Sequence, residues 1–320
     1  MDYSVLFPQQ PADPRAIDVF AGVVRHHRLS RLWMGQSFAI ESHLALAASG
    51  ADGVGVPVGI GTALAALRSP YDAAMQARSL AAVIRQPVAV AYGAADPEFV
   101  SSVSGSALSR PAAYTAEYCR LVRALVDGHV ATSTADRLQM NAVLPPLDHP
   151  RVDIGTGVLR PGMARKSASV ADFVITWLTP EHYLRETLIP ALTRPDGTRP
   201  RLVAHVHCAV DRPGRNARLL AQVGCSGHLS RPHYVSMLRS AGLDIDVSDP
   251  VSGARMLVQH GVIAIGSAVE IAERLDGFAA SGVDEVVINA TAVALTHGDT
   301  AAVDDLEEIA ASLRKGTSHD

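Results

Sequence analysis

Short apolar, β-branched runs alternate along this chain with longer stretches whose apolar positions recur every three or four residues. "YSVLF" (3–7) precedes a helix predicted to be capped near Asp13, with Pro14 in its first turn. "RLWMG" (31–35) leads to a helix over 42–50, with Ser42 as N-cap and Gly50 as stop. "VPVGIGTA" (56–63) precedes a helix over 71–86, and "PVAVAYG" (87–93) precedes one over 112–128. The second half repeats the theme. "VDIGTGV" (152–158) feeds a helix at 161–171, and "DFVITWLT" (172–179) feeds one at 180–192. "RLVAHVHCAV" (201–210) is followed by helical material, and a helix over 267–282 leads into "VDEVVINA" (283–290).

Runs of continuous apolar character suit strands covered on both faces, as in a parallel sheet. Eight such strands with helices between them predict an α/β chain folded as a (β/α)8 TIM barrel. A doubly wound open sheet is the runner-up. Residues 129–150 and 211–262 are too long for simple connections and are read as insertion segments, the usual place for lids and binding elements. No shift of composition divides the chain, so a single domain spanning 1–320 is expected.

Composition narrows the partners. The chain is 48% hydrophobic and 19% charged, which is a globular balance. A net charge of −4 and 5% aromatic residues argue against nucleic acid and against an anionic membrane. Cys119, Cys208 and Cys225 are scattered and read as small core hydrophobes, so a reducing cytoplasm is expected. The start shows no signal-peptide pattern, and no apolar run approaches the ~18 residues of a membrane span.

In a parallel barrel the reactive face lies at the C-terminal ends of the strands. Here those ends are small or neutral: Gly35-Gln36, Gly61-Thr62-Ala63, Gly93-Ala94-Ala95, Gly157 to Met163, Trp177-Leu178-Thr179 and Asn289-Ala290-Thr291. They hold no carboxylate pair, no Schiff-base lysine and no nucleophile elbow. Such a face calls for a cofactor to do the chemistry. "GTGVLRPGMARKSASVAD" (155–172) fits that demand: Gly155, Gly157 and Gly162 allow close backbone approach, and Arg160 and Arg165 add positive charge near a helix start.

Two stretches carry a resemblance. "GIGTALAALRSPYDAAMQARSLA" (59–81) resembles the third βα unit of the luciferase-like flavin- and deazaflavin-dependent oxidoreductases. "VLRPGMARKSASVADFVITWLTPEHYLRETLIPAL" resembles the subgroup that uses coenzyme F420, and 265–288 resembles the last barrel unit. The resemblance implies an isoalloxazine-like ring over the barrel mouth, behind it a cis peptide bulge around Gly61, Thr62 and Ala63. It implies a phosphate-bearing tail along Gly157, Val158, Leu159, Arg160, Pro161, Gly162 and Met163, with Gln36, Gly93, Ala94 and Trp177 lining the ring pocket. A bulky residue in place of Ala63 should then block the ring. Asp96 departs from the family pattern, and a carboxylate there would repel a phosphate.

The expected enzyme is thus an F420-dependent reductase delivering hydride to a small molecule or modified peptide, with a homodimer as the expected assembly. FMN is the alternative cofactor, in a luciferase-like monooxygenase. His43, Gln36 and Tyr71 are the candidate proton donors. Two readings lie outside redox chemistry. His205 and His207, two apart on one strand face, could serve a metal-dependent hydrolase, although no metal is expected. The chain could also be a cofactor-free partner subunit.

Overall fold

The computed structural model describes residues 1–50 and 55–316. Eight parallel strands close into a barrel: β1 (Asp2–Phe7), β2 (Leu32–Met34), β3 (Val58–Leu64), β4 (Val88–Gly93), β5 (Val152–Gly157), β6 (Phe173–Trp177), β7 (Arg201–Val210) and β8 (Glu285–Asn289). Each pairs in parallel with its successor, and β8 pairs with β1 to complete the circle. All eight apolar runs are therefore barrel strands. The register shifts once, in β3 between Gly61 and Ala63, where the Gly61–Thr62 peptide is cis.

Period-two alternation sorts the strand residues into two layers. Leu6, Trp33, Ala89, Ala91, Phe173, Ile175, Val203 and Val287 fill the barrel interior. Large rings on one strand are matched by glycines on a neighbouring strand. A Cβ at Gly59 would stand 2.4 Å from the Trp33 indole, and one at Gly155 would stand 2.5 Å from the Phe173 ring. A side chain at either glycine would collide with a ring that fills the barrel, at a cost of roughly 1–3 kcal/mol for overpacking. Outward residues such as Val90, Ile154, Val174 and Ile288 pack against the surrounding helices in a second, larger core.

Glu285 seals the N-terminal end of the barrel. Its Oε1 accepts from Ser4 Oγ and from Trp33 Nε1, both at 2.7 Å. The Arg31 guanidinium stands 3.3 Å from Oε1, and Arg201 donates to Oε2 at 2.9 Å. A carboxylate this deeply buried is stable only with such partners.

The helix starts follow local chemistry, with two changes from expectation. Ser69 caps Pro70–Ile84, and Ser267 with Glu270 forms a capping box on Ala268–Ala280, each cap worth about 1 kcal/mol. The first helix starts at Ala16 because Asp13 binds the Arg15 amide and guanidinium instead. Ser42 is not the cap of its helix. Its hydroxyl ties Gly35 to Ser37, and the Glu41 carboxylate receives the amides of His43 and Leu44.

The segment 129–150 contains an antiparallel hairpin of Ala131–Ser133 with Met140–Ala142. The segment 211–262 folds into helices Ala217–Leu229, Pro232–Ser240 and Pro250–Gln259. A short strand, Ala264–Gly266, then extends the sheet along the end of β7. No helix among the described residues is long and apolar enough to cross a membrane. The three cysteines are free and buried.

Candidate active site at the barrel mouth

The C-terminal strand ends form a floor of small groups. The Thr62 side chain lies against Gly93 and Gly157: a Cβ on either glycine would come within 2.9 Å of it. Beside this floor rises a wall of rings. Trp177, at the end of β6, is 4.9 Å from the His205 ring and 5.2 Å from the His228 ring, tilted by 37° and 36°. His207 meets the same indole edge-on at 5.2 Å, and Tyr234 meets His228 edge-on at 5.0 Å. The insertion helices therefore reach over the mouth through His228 and Tyr234.

The polar atoms of this wall are short of partners. Trp177 Nε1, both ring nitrogens of His205 and His207 Nδ1 are buried without a hydrogen bond. Asn289 fixes the tautomer of His207. Its Oδ1 accepts from the Thr291 amide at 2.9 Å, so its NH2 group faces His207 Nε2 at 3.2 Å. Nε2 is then the acceptor and the proton sits on Nδ1. Burial lowers the pKa of His205 to about 3. Burial, then His228 and His205, lowers that of His207 to about 3. Burial and His233 lower that of His228 to about 4. The wall is neutral near pH 7, and each imidazole there can donate once and accept once.

Two of the strand ends are strained. Ala95 (φ 65°) and Leu178 (φ 53°) hold left-handed backbone, which costs an ordinary L-residue about 1–2 kcal/mol. Strain of this kind gathers where a site dictates backbone direction.

The luciferase-like monooxygenase family model matches residues 13–285. The chain belongs to that family. Solved structures with the same fold include an F420-dependent secondary alcohol dehydrogenase in complex with an F420-acetone adduct, with a TM-score of 0.77 at 15% identity over 98% of this chain and 99% of that one. The coenzyme F420-dependent tetrahydromethanopterin reductase of Methanopyrus kandleri gives 0.74 at 11% identity, over 98% and 99%. A monooxygenase from Streptomyces bottropensis gives 0.73 at 16% identity, over 99% and 100%. No curated protein sequence matches the chain.

This luciferase-like barrel places the residues singled out in the sequence in three groups. Gly61, Thr62, Gly93, Ala94, Gly157 and Trp177 lie at the mouth. Ala63 does not face it. That residue is 0% exposed and packs in the outer core, so a bulky replacement would overpack the barrel wall before reaching any ring. Val158 is likewise buried, at 1%, with its amide bonded to the Ile175 carbonyl, so only its backbone could meet a ligand. Leu159 and Met163 are half-buried against the core, Pro161 starts the helix Pro161–Ser167, and Arg160 and Gly162 are exposed.

Gln36, expected as a ring contact, acts first as a clamp. Its Nε2 donates to the Ser37 carbonyl at 2.7 Å, and its Oε1 accepts from the Leu64 amide at 3.2 Å, just past the bulge in β3. Arg68 bridges Gln36 to Glu41, and Glu41 accepts from His43 Nδ1 at 2.9 Å. Burial alone would raise the Glu41 pKa, but His43, the Leu44 amide and Arg68 outweigh it and hold it near about 2. His43 is thus the end of a chain of contacts bracing the bulge, and Tyr71 packs partly buried on the outer core.

Asp96 also has a structural task. It caps Pro97–Ser104 and faces Arg231 of the insertion at 3.5 Å. Its charge is compensated from both sides. Arg160, Arg231 and Asp96 all act on His233, whose pKa burial lowers, so these four groups share one rim. His228, His233 and Tyr234 are site residues that sequence reasoning missed. Only the period-two "HVH" pair at His205 and His207 was a local signal.

Proposed function

We propose that this luciferase-like chain is an oxidoreductase that uses reduced F420 to pass a hydride to a small-molecule or modified-peptide substrate. The observation that carries the reading is the set of unpartnered ring nitrogens on Trp177, His205 and His207 beside the small floor at Thr62. Buried donors and acceptors left open in this way cost roughly 1–3 kcal/mol each until a ligand pairs with them. A flat heterocycle with hydrogen-bonding edges suits both floor and wall. The choice of deazaflavin rests on the resemblance of residues 157–180 to the F420-using subgroup. When bound, the deazaflavin supplies a two-electron hydride carrier that reacts poorly with oxygen.

The chain's own residues bind and orient. Gly93 and Gly157 let the Thr62 side chain lie down against the strand ends, which keeps the floor low beneath a ring plane. Trp177 Nε1 and His207 Nδ1 donate, while His205 offers one donor and one acceptor. Arg160, with Arg231 and His233 on the same rim, attracts an anionic tail, and Asp96 repels it less because Arg231 and the helix Pro97–Ser104 compensate its charge. His228 and Tyr234 exclude water from the mouth.

Titrating the purified chain with F420 and with FMN, followed by anaerobic turnover with the reduced deazaflavin, tests the reading. Tighter binding of F420 and turnover without oxygen are expected. Oxygen-dependent turnover with reduced FMN alone would make the chain a monooxygenase. No affinity for either cofactor would make it a partner subunit.

A further inference from the structure

Far from the mouth, the first and last helices meet through three side chains. His26 and His27 end the helix Ala16–His27, and Glu307 lies midway along Asp299–Gly316. His26 Nδ1 is 3.3 Å from Glu307 Oε2, and His27 Nε2 contacts the same oxygen. The three atoms all lie within 4.8 Å of one another. We propose that these residues form a binding site for a divalent transition-metal ion, zinc foremost, which ties the two helices together.

The donor chemistry selects the ion. Two imidazoles and one carboxylate suit zinc, cobalt or nickel, whereas calcium and magnesium require oxygen ligands. Zinc bonds to nitrogen and oxygen are about 2.0–2.2 Å, so adjacent ligand atoms of a tetrahedral site stand roughly 3.3–3.5 Å apart. The His26–Glu307 separation of 3.3 Å already meets that spacing. His27 supplies the second imidazole from a nearly buried side chain, 7% exposed. Its Nδ1 has no hydrogen-bond partner, while Nε2 donates its proton to the Glu307 carboxylate, so an ion that binds here takes the place of that proton between the two groups. His26 is 72% exposed, which gives an ion a path in from solvent. Water completes the fourth position.

Metal titration separates an ion site from a plain hydrogen-bonded contact. Chelator-stripped protein is titrated with zinc chloride by calorimetry, and with cobalt chloride to read tetrahedral coordination from its visible absorption. One equivalent is expected to bind, and zinc is expected to raise the Tm. His26→Ala and Glu307→Gln should each weaken binding by roughly tenfold or more and abolish the Tm rise. Neither change should disturb folding, because one removes an exposed ring and the other keeps the side-chain shape. Unchanged zinc affinity in both variants, or no stoichiometric binding at micromolar zinc, would overturn the proposal. F420 binding at the mouth is independent of this outcome.

Discussion

The two ends of the barrel bury different polar groups and treat them differently. At the N-terminal end, Glu285 gathers Ser4, Arg31, Trp33 and Arg201 around a single buried carboxylate. At the C-terminal end, Trp177, His205 and His207 are brought together and left with open hydrogen-bonding positions. Each end has one tryptophan, and only the indole at the closed end has a partner for its N–H. The closed end satisfies its carboxylate, while Arg31 meets it as an ion pair, its Nε and Nη1 without a hydrogen bond. The mouth keeps its polar groups unpaired, at a cost in stability that a bound ligand would recover.

Mutation should expose that difference, most strongly at the closed end. Glu285→Ala leaves Arg31 and Arg201 without their buried counter-charge and should cost about 3–5 kcal/mol, read by denaturant unfolding. A loss below about 1 kcal/mol would show that the end is not sealed as described.

Acid should attack the opposite end. In the folded chain His205, His207 and His228 stay neutral down to about 3, about 3 and about 4, whereas the unfolded chain protonates its histidines near pH 6.5. Their contribution is fully present above pH 6.5 and is lost as the pH falls from there toward the folded values. Each histidine adds a slope of up to ~1.4 kcal/mol per pH unit in that window. Unfolding free energies measured from pH 7 to 4.5 should show the fall, and His205→Leu should make it shallower.

His205→Leu should also stabilise the chain near pH 7 by about 1 kcal/mol, because it replaces two unpartnered buried nitrogens with apolar atoms. The same change should weaken binding of the proposed cofactor at the mouth. A loss of stability instead would mean that those nitrogens are satisfied in solution. The smallest effect on folding is expected at Arg160. Arg160→Ala should change stability by less than about 0.5 kcal/mol yet weaken binding of the proposed cofactor, with the difference shrinking at high salt. Equal affinity in a folded variant would remove Arg160 from the rim.

The barrel was legible in the sequence because a strand buried on both faces must be apolar throughout, and eight such runs stand clear of their surroundings. The hairpin at Ala131–Ser133 and Met140–Ala142 was not, since its short strands lie in polar sequence and bury little. The floor of the mouth could be read from Gly61, Gly93 and Gly157, where close approach demands glycine. The wall could not. His228 and Tyr234 reach Trp177 from a separate helical insertion, so only the folded chain brings them together. Ser42 and Glu41 are both able caps, and the choice between them depends on the Gly35 carbonyl and Ser37 amide that occupy Ser42.

The chain has two tryptophans, one at each end of the barrel. Trp33 is fully buried at the sealed end, while the Trp177 indole is stacked between two imidazoles at the mouth. The His205 ring touches both indoles, 4.9 Å from that of Trp177 and 6.1 Å from that of Trp33. The protein therefore carries its own optical probe of the mouth. A ligand that pairs with His205 should change the emission of both tryptophans. In Trp177→Phe the remaining signal from Trp33 should still report occupancy, with a smaller change, as well as global unfolding.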